Sequence, residues 1–414
     1  MNKKTLRDVE LKGKRVIMRV DFNVPLKGGV ITDDTRVKAA LPSIRYVLEK
    51  GASLVLMSHL GRPAGKGFEA EFSLKPVADH LAGLLGKPVA FAPDCLAADA
   101  AAAALQPGGV LMLENTRFYK EEEASIKRKP EQDEAEFKAK KAALKAKQKV
   151  MAQKLASYGD LFCNDAFGSA HRAHASTAVI CAFIKDSVAG FLMEKELDYL
   201  GRALEKPDHP FVAILGGAKV SDKLGVVQNL LTKVDVLIIG GGMAYTFLKA
   251  QGHAIGKSLC ELDQLDYARR MLDDAKQRGV RFLLPVDNVA ADKFDAAADT
   301  RVVGNEIPEG WMALDIGPRT TALFADAIKT AKMVVWNGPM GCFEMKPFAA
   351  GTLGVCQAVA ESGAVSIIGG GDSVSAVNKS GLSGKMSHIS TGGGASLEFL
   401  EGKALPGVVS LNDR

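Results

Sequence analysis

Along this chain a short apolar run stops, repeatedly, at a turn of glycines or of charged and amide side chains, and a helix-like stretch follows. That alternation excludes most architectures. Strands that are apolar at nearly every position bury both faces, and strands joined through helices lie parallel. We expect strands over residues 14–20, 52–57, near 89, 110–113 and 161–164, and again over 211–215, 234–239, 281–285, 332–336 and 364–368. Helices are expected over 36–50, behind an Asp33-Asp34-Thr35 cap, and over 74–85, 97–105 and 190–204. The class is α/β, with parallel sheets covered by helices on both faces.

A chain of 414 residues is too long for one hydrophobic core, so two lobes are expected. Lys206-Pro207-Asp208-His209-Pro210 punctuates the series. The junction is placed around the helix before it, about 190–205. The first lobe spans 1–186 plus a C-terminal tail, 402–414, and the second spans 187–401. Residues 120–149 break the rhythm, being dense in Lys and Glu. From Glu131 onward they read as one long helix, either a solvated face or a partner-binding arm.

The strand ends carry the chemistry, because open α/β sheets bind ligands there. In the first half these turns hold Asp21, Asn23, His59, Arg62, Arg117 and Arg172, with Arg36 opening the next helix. Guanidinium forks match carboxylate and phosphate oxygens, so a set of them suits a small, multiply charged anion. Each one alone is also consistent with a surface ion pair. His59 and His171 suit either general bases or hydrogen-bonding groups.

In the second half the same positions carry glycine clusters: Gly216-Gly217, residues 240–242, 369–371 and 392–394. Such turns let the backbone approach a nucleotide and its phosphates. Lys219 and Lys223, four apart, would share a helix face if a helix begins near Ser221. In Ile367-Ile368-Gly369-Gly370-Gly371-Asp372-Ser373 a carboxylate sits inside a phosphate-type loop. Either Asp372 holds a divalent cation, or Asp372 or Ser373 caps the helix that follows. No Gly-x-Gly-x-x-Gly fingerprint occurs. Gly252-His253-Ala254-Ile255-Gly256-Lys257-Ser258 is one residue short of a P-loop and follows no clear strand.

The balance of the chain agrees with this reading. A net charge of +5 suits an anionic substrate, and no nucleic-acid motif is present. The six cysteines are scattered without a Cys-x-x-Cys pair, which points to a reducing, cytoplasmic setting. The charged N-terminal stretch is not expected to be a signal peptide, and no membrane association is expected.

Taken together, the turns resemble phosphoglycerate kinase nearly end to end. The resemblance rests on Arg19-Val20-Asp21-Phe22-Asn23-Val24-Pro25, Ser58-His59-Leu60-Gly61-Arg62-Pro63, Glu114-Asn115-Thr116-Arg117-Phe118 and Asn164-Asp165-Ala166-Phe167-Gly168. It continues in Leu215-Gly216-Gly217-Ala218-Lys219-Val220-Ser221-Asp222-Lys223, Trp336-Asn337-Gly338-Pro339-Met340-Gly341, Gly369-Gly370-Gly371-Asp372-Ser373 and Ser390-Thr391-Gly392-Gly393-Gly394.

That resemblance implies two Rossmann-like lobes joined by a hinge helix, about 190–205, and a monomer. The first would bind 3-phosphoglycerate or 1,3-bisphosphoglycerate through Asp21, Asn23, Arg36, His59, Arg62, Arg117 and Arg172. The second would bind ADP or ATP with Mg²⁺. There Lys219 and Lys223 would meet phosphates, Asp372 the metal, and Gly370, Gly371 and Ser373 the phosphate loop. Asn337 and Glu344 match nucleotide contacts, and Gly216, Gly217, Gly240 and Gly317 would lie near the nucleotide. Transfer would be direct and in-line after hinge closure, with Arg36, Lys219, Gly371 and Gly394 around the moving group. The segment 120–149 departs from the family pattern and is expected to lie away from the site. A nicotinamide-dependent dehydrogenase and a non-catalytic nucleotide-binding scaffold are the rival readings.

Overall fold

The computed structural model describes residues 2–414. The chain divides into two compact units, one made of the chain up to Asp198 together with Ala404–Arg414, the other of Tyr199–Lys403.

The first unit is built on β1 (Arg15–Val20), followed by a small antiparallel hairpin of β2 (Leu26–Lys27) and β3 (Val30–Ile31). With β4 (Ser53–Met57), β5 (Ala90–Ala92), β6 (Val110–Leu113), β7 (Leu161–Asp165) and β8 (Ser187–Ala189), strand β1 forms a sheet in the order β5-β6-β4-β1-β7-β8. Every neighbouring pair in it is parallel. Strands β4 and β6 are buried at every position, as expected of strands covered on both faces. On one face Val16, Met18, Leu54 and Leu56 pack with Val37, Ile44 and Val47 of the helix Thr35–Glu49. Asp34 takes that helix's N-cap position without a side-chain bond to the helix's free N–H groups, and Asp33 Oδ1 instead accepts from Thr35 N–H at 2.9 Å.

The helix Phe191–Glu205 carries the division inside it, between Asp198 and Tyr199, rather than before it. Its opening turn is fastened to the first unit. Phe191 N–H donates to Ser43 Oγ at 2.8 Å, and Leu192 and Met193 N–H donate to Asp165 Oδ1 at 2.9 and 3.1 Å. The tail also belongs to the first unit. Gly407 N–H donates to Ala170 O, and Asn412 exchanges bonds with Ser187. Pro406–Val409 forms a further helical turn after the helix Gly394–Leu400.

The charged segment differs from its expected form. Lys120–Glu123 is a short separate helix, and the long helix is Glu134–Ala156, starting later than Glu131 and ending later than residue 149. Asp133 caps it by accepting from Glu136 N–H at 2.9 Å. Its first half is solvated, and its second half is buried along one side only, with Lys147, Lys149, Val150 and Gln153 exposed. Gln148, Met151, Ala152 and Leu155 are buried, because apolar residues at helical spacing return after the lysines.

The second unit has β9 (Phe211–Leu215), β10 (Val236–Ile239), β11 (Arg281–Leu283), β15 (Met333–Asn337), β16 (Val365–Gly369) and β17 (His388–Ile389), ordered β11-β10-β9-β15-β16-β17 and parallel throughout. Val212, Ile214, Val334 and Trp336 form its core with Phe324, Ile328 and Val355. A separate antiparallel sheet, β12 (Asn288–Ala291), β13 (Thr300–Val303) and β14 (Met312–Ile316), was not foreseen. Its strands are joined by loops, so they lack the strand–helix rhythm.

Each parallel sheet reverses its winding at the middle. After β1 the chain places β4 on one side and β7 on the other; after β9 it places β10 on one side and β15 on the other. Crevices at the carboxyl ends of such neighbouring strands are where open α/β sheets take ligands.

Candidate active site

In the first unit the adjacent strands β6, β4, β1 and β7 are parallel, so the turns after them share one edge. Asp21 and Asn23 follow β1, His59 and Arg62 follow β4, Arg117 follows β6 and Arg172 follows β7. Arg36 is the second residue of the helix Thr35–Glu49. Arg36 Nη1 is 2.6 Å from Asp21 Oδ2. Gly61 is gripped from two sides: its N–H donates to Asn23 Oδ1 at 2.8 Å, and its carbonyl accepts from Arg117 Nη1 at 2.9 Å. Its φ of +62° and the lack of room for a Cβ beside the Phe72 ring explain a glycine there. Arg62, next in the chain, is exposed, as is Arg172.

The charged segment does not lie away from these residues, contrary to expectation. Arg117 Nε is 2.8 Å from Glu123 Oε1. Glu122 is fully buried and accepts from both the hydroxyl and the N–H of Ser176. Arg19 was also missed as a site residue. It is fully buried and 3.0 Å from His59 Nδ1. Its signal was available: a lone charge inside Val16-Ile17-Met18-Arg19-Val20. Burial, followed by the positive charge of Arg19 and Arg117, holds the His59 pKa well below the ordinary histidine range. Burial and then Arg117 push His174 in the same direction.

In the second unit a cavity of about 490 Å³ opens among the turns after β9, β10 and β15. Leu259, Phe294, Leu314 and Met340 give it apolar walls; Lys257, Glu344 and Asp372 give it charged ones. Gly217, with φ of +109°, lines it. Gly216, Gly240 and Gly317 lie close against neighbouring protein groups. A Cβ on them would come 2.1 Å from Pro339 O, 2.4 Å from Met340 Sδ and 2.3 Å from Asp287 Cγ. These glycines are required by packing between turns.

Gly370, with φ of +84°, takes the cap position of the helix Gly371–Ser380, so neither Asp372 nor Ser373 is its cap. Asp372 lies in the first turn and lines the cavity. Ser373 is buried and its hydroxyl accepts from Gly338 N–H at 2.5 Å. Asn337 ends β15; its Nδ2 is buried without a partner, and its side chain lies within reach of a Cβ on Gly370. Lys219 is exposed, whereas Lys223 is buried at the end of the turn Ser221–Lys223, so the two do not share one setting. Burial lowers the Lys223 pKa, and Asp222 and Asp372 oppose that shift. Gly394 opens the helix Gly394–Leu400. The P-loop-like stretch is a turn of the cavity wall: Lys257 and Ser258 line the space, and Ser258 Oγ accepts from Ala313 N–H at 2.9 Å.

Among the described residues no group of three or more His, Cys, Asp or Glu is arranged to hold a metal, and no helix is long and apolar enough to cross a membrane. A lone carboxylate beside a phosphate-type turn fits Mg²⁺ carried in by a nucleotide, because that ion keeps phosphate and water oxygens and needs only one or two carboxylates.

A family model described as "Phosphoglycerate kinase" matches residues 6–403. The chain belongs to the phosphoglycerate kinase family. It is a kinase, a phosphotransferase. The phosphoglycerate kinase of Herpetosiphon aurantiacus is 56% identical over 418 residues, and that of Clostridium novyi 55% over 421 residues; each comparison spans 100% of both chains. The solved phosphoglycerate kinase from Coxiella burnetii is 43% identical, with a TM-score of 0.87 over 99% of this chain and 98% of that one. The one from Pyrococcus horikoshii is 34% identical, with a TM-score of 0.79 over the same shares.

Proposed function

We propose that the chain catalyses reversible, Mg²⁺-dependent phosphoryl transfer between 1,3-bisphosphoglycerate and ADP, giving 3-phosphoglycerate and ATP. The observation that carries the substrate side is the basic set at one edge of the first sheet. Arg36, Arg117 and His59 stand with Asp21 and Asn23 around the Gly61 turn, with Arg62 and Arg172 exposed after the same strands. Such a set recognises a small molecule bearing phosphate and carboxylate. The cavity of the second unit suits ADP or ATP. Its apolar walls take a base, Lys219 and Lys223 reach phosphates, and Asp372 meets the Mg²⁺ that shields their charge. Glu344 lies on the wall, and the backbone at Gly217, Gly370 and Gly371 permits close approach.

Transfer is direct. An attacking carboxylate has no proton to lose, so neither a protein nucleophile nor a general base is needed. Catalysis comes from alignment and from neutralising the equatorial oxygens in flight. Arg36 of the first unit and Lys219 of the second supply charge, and N–H groups at Gly371 and Gly394 complete the cradle. Groups from two units can serve one phosphoryl only through a closing motion about the hinge helix, which also expels water. A soluble, cytoplasmic monomer is the corresponding setting.

The test supplies 3-phosphoglycerate and MgATP and follows NADH loss through added glyceraldehyde-phosphate dehydrogenase. Turnover should vanish when either substrate or Mg²⁺ is omitted. MgADP binding without any turnover would reject this reading in favour of a nucleotide-binding scaffold.

A further inference from the structure

We propose that Arg19 is a positioning residue that fixes His59 as the neutral imidazole with its proton on Nε2, so that the ring meets an anion as a neutral donor. The inference deepens the substrate reading of the first unit and rests on it for the identity of the anion.

Arg19 lies in β1 and is 0% exposed. Its Nε donates to Ser176 Oγ at 2.8 Å, its Nη1 donates to Val20 O, and its Nη2 is 3.0 Å from His59 Nδ1. A guanidinium has five donors, no acceptor, and does not lose its proton in a protein. His59 Nδ1 must therefore accept. An imidazole that accepts at Nδ1 is neutral and carries its hydrogen at Nε2. Protonating Nδ1 would set two N–H groups head to head in a buried site. Among the described residues Nε2 has no protein hydrogen-bond partner, so its hydrogen is available to a ligand.

The groups facing the ring reinforce this state. Arg19, Arg117 and Arg36 present positive charge to it, and His174 is the other titratable neighbour. Negative charge balances Arg19 from Glu122 first and from Asp21 next. Ser176 donates its hydroxyl to Glu122 Oε1 at 2.5 Å and its N–H to Oε2 at 3.0 Å, and Glu122 is itself fully buried. A buried cation without such a counter-charge would be strongly unfavourable. The relay Glu122–Ser176–Arg19 thus keeps Arg19 charged while its donor face is turned to His59. His59 accordingly takes no part in proton transfer, and its contact with an anion does not change with pH where an ordinary histidine would titrate.

The test is the imidazole ¹⁵N spectrum of the full-length protein labelled at its seven histidines. His59 is assigned by the signals lost in His59→Gln. Between about pH 5 and 8 it should show a pyridine-type Nδ1, a pyrrole-type Nε2 and no titration. A proton on Nδ1, or an imidazolium within that range, overturns the proposal. Arg19→Met combined with Glu122→Gln removes both buried charges together. In that variant His59 should titrate and mix tautomers, and the variant-to-wild-type KM ratio for 3-phosphoglycerate should fall as pH falls. An unchanged, non-titrating tautomer there also overturns the role of Arg19. Should the double variant fail to fold, the wild-type spectrum still decides. The expected His59 spectrum together with an unaltered KM in His59→Gln would leave the tautomer assignment standing and remove the substrate reading instead.

Discussion

Asp165 offers a quantitative test of how the helix Phe191–Glu205 is anchored. Its carboxyl is buried, with Oδ1 accepting from Leu192 and Met193 N–H and Oδ2 left without a hydrogen-bond partner. Burial raises its pKa from 3.8 to about 6, against the opposing hydrogen bonds from Ser43, Met193 and Leu192. A folded-state value above the unfolded one means that the folded chain holds the proton longer. This group's contribution is therefore present in full below about pH 4 and is lost as pH rises through about 6. A rise of about 2 units, at about 1.4 kcal/mol per unit, is about 3 kcal/mol. Asp165→Asn keeps an oxygen for the two N–H groups and cannot ionise. It should match wild type near pH 4 and exceed it by up to about 3 kcal/mol at pH 7.5. Both tryptophans, Trp311 and Trp336, belong to the second unit, so their fluorescence would not read this change. Native-state hydrogen exchange of β1 and β4 amides would. A variant that is less stable at pH 7.5, by an amount that does not vary with pH, would refute the reasoning. It would mean that an ionised Asp165 stabilises the helix N-terminus.

Arg36→Ala should lower kcat by about 10³–10⁵ while MgADP affinity is unchanged; equal losses of both would remove Arg36 from the moving phosphoryl. Asp372→Asn should raise the Mg²⁺ concentration needed for half-maximal rate, and an unmoved Mg²⁺ titration would clear Asp372 of metal contact. Gly216→Ala drives a Cβ to 2.1 Å from Pro339 O and should cost the second unit about 1–3 kcal/mol, read by urea unfolding followed through tryptophan; a midpoint equal to wild type would show that the turn yields freely. Lys138→Gln with Lys140→Gln breaks the exposed pairs to Glu134 and Glu136, and should change stability by about 0.5 kcal/mol or less per pair with kcat untouched. A lowered kcat would tie the solvated half of that helix to catalysis.

What was legible in the sequence follows from where information is local. Phe211–Leu215 and Ser53–Met57 are apolar throughout because both faces are covered, and their polar or glycine turns mark the carboxyl edge. The antiparallel sheet was hidden because β13 exposes Thr300, Arg301 and Val302 and so carries no burial pattern. Helix starts were misjudged where backbone conformation outranked side-chain preference: Gly370 caps by its positive φ, ahead of the Asp372 and Ser373 that composition favours. The burial of Glu122 was not legible, because it stands in a run of acids and its partner Ser176 is 54 residues away. No local window contains that pair. The packing of Gly216, Gly240 and Gly317 against Pro339, Met340 and Asp287 was not legible, because a glycine required by a ligand and one required by a neighbouring turn are identical in sequence.

The first unit is discontinuous, and that gives its assembly a timetable. Residues 404–414 are synthesised only after Tyr199–Lys403 has been made. At about 5–20 residues per second, that interval is on the order of ten to forty seconds. Throughout it, Ser187 at the sheet's edge strand lacks Asn412, and Asn164 and Ala170 lack Gly407. The nascent first unit therefore waits with an open edge while a whole second core condenses behind it. The half of the chain that begins folding first is the half that finishes last.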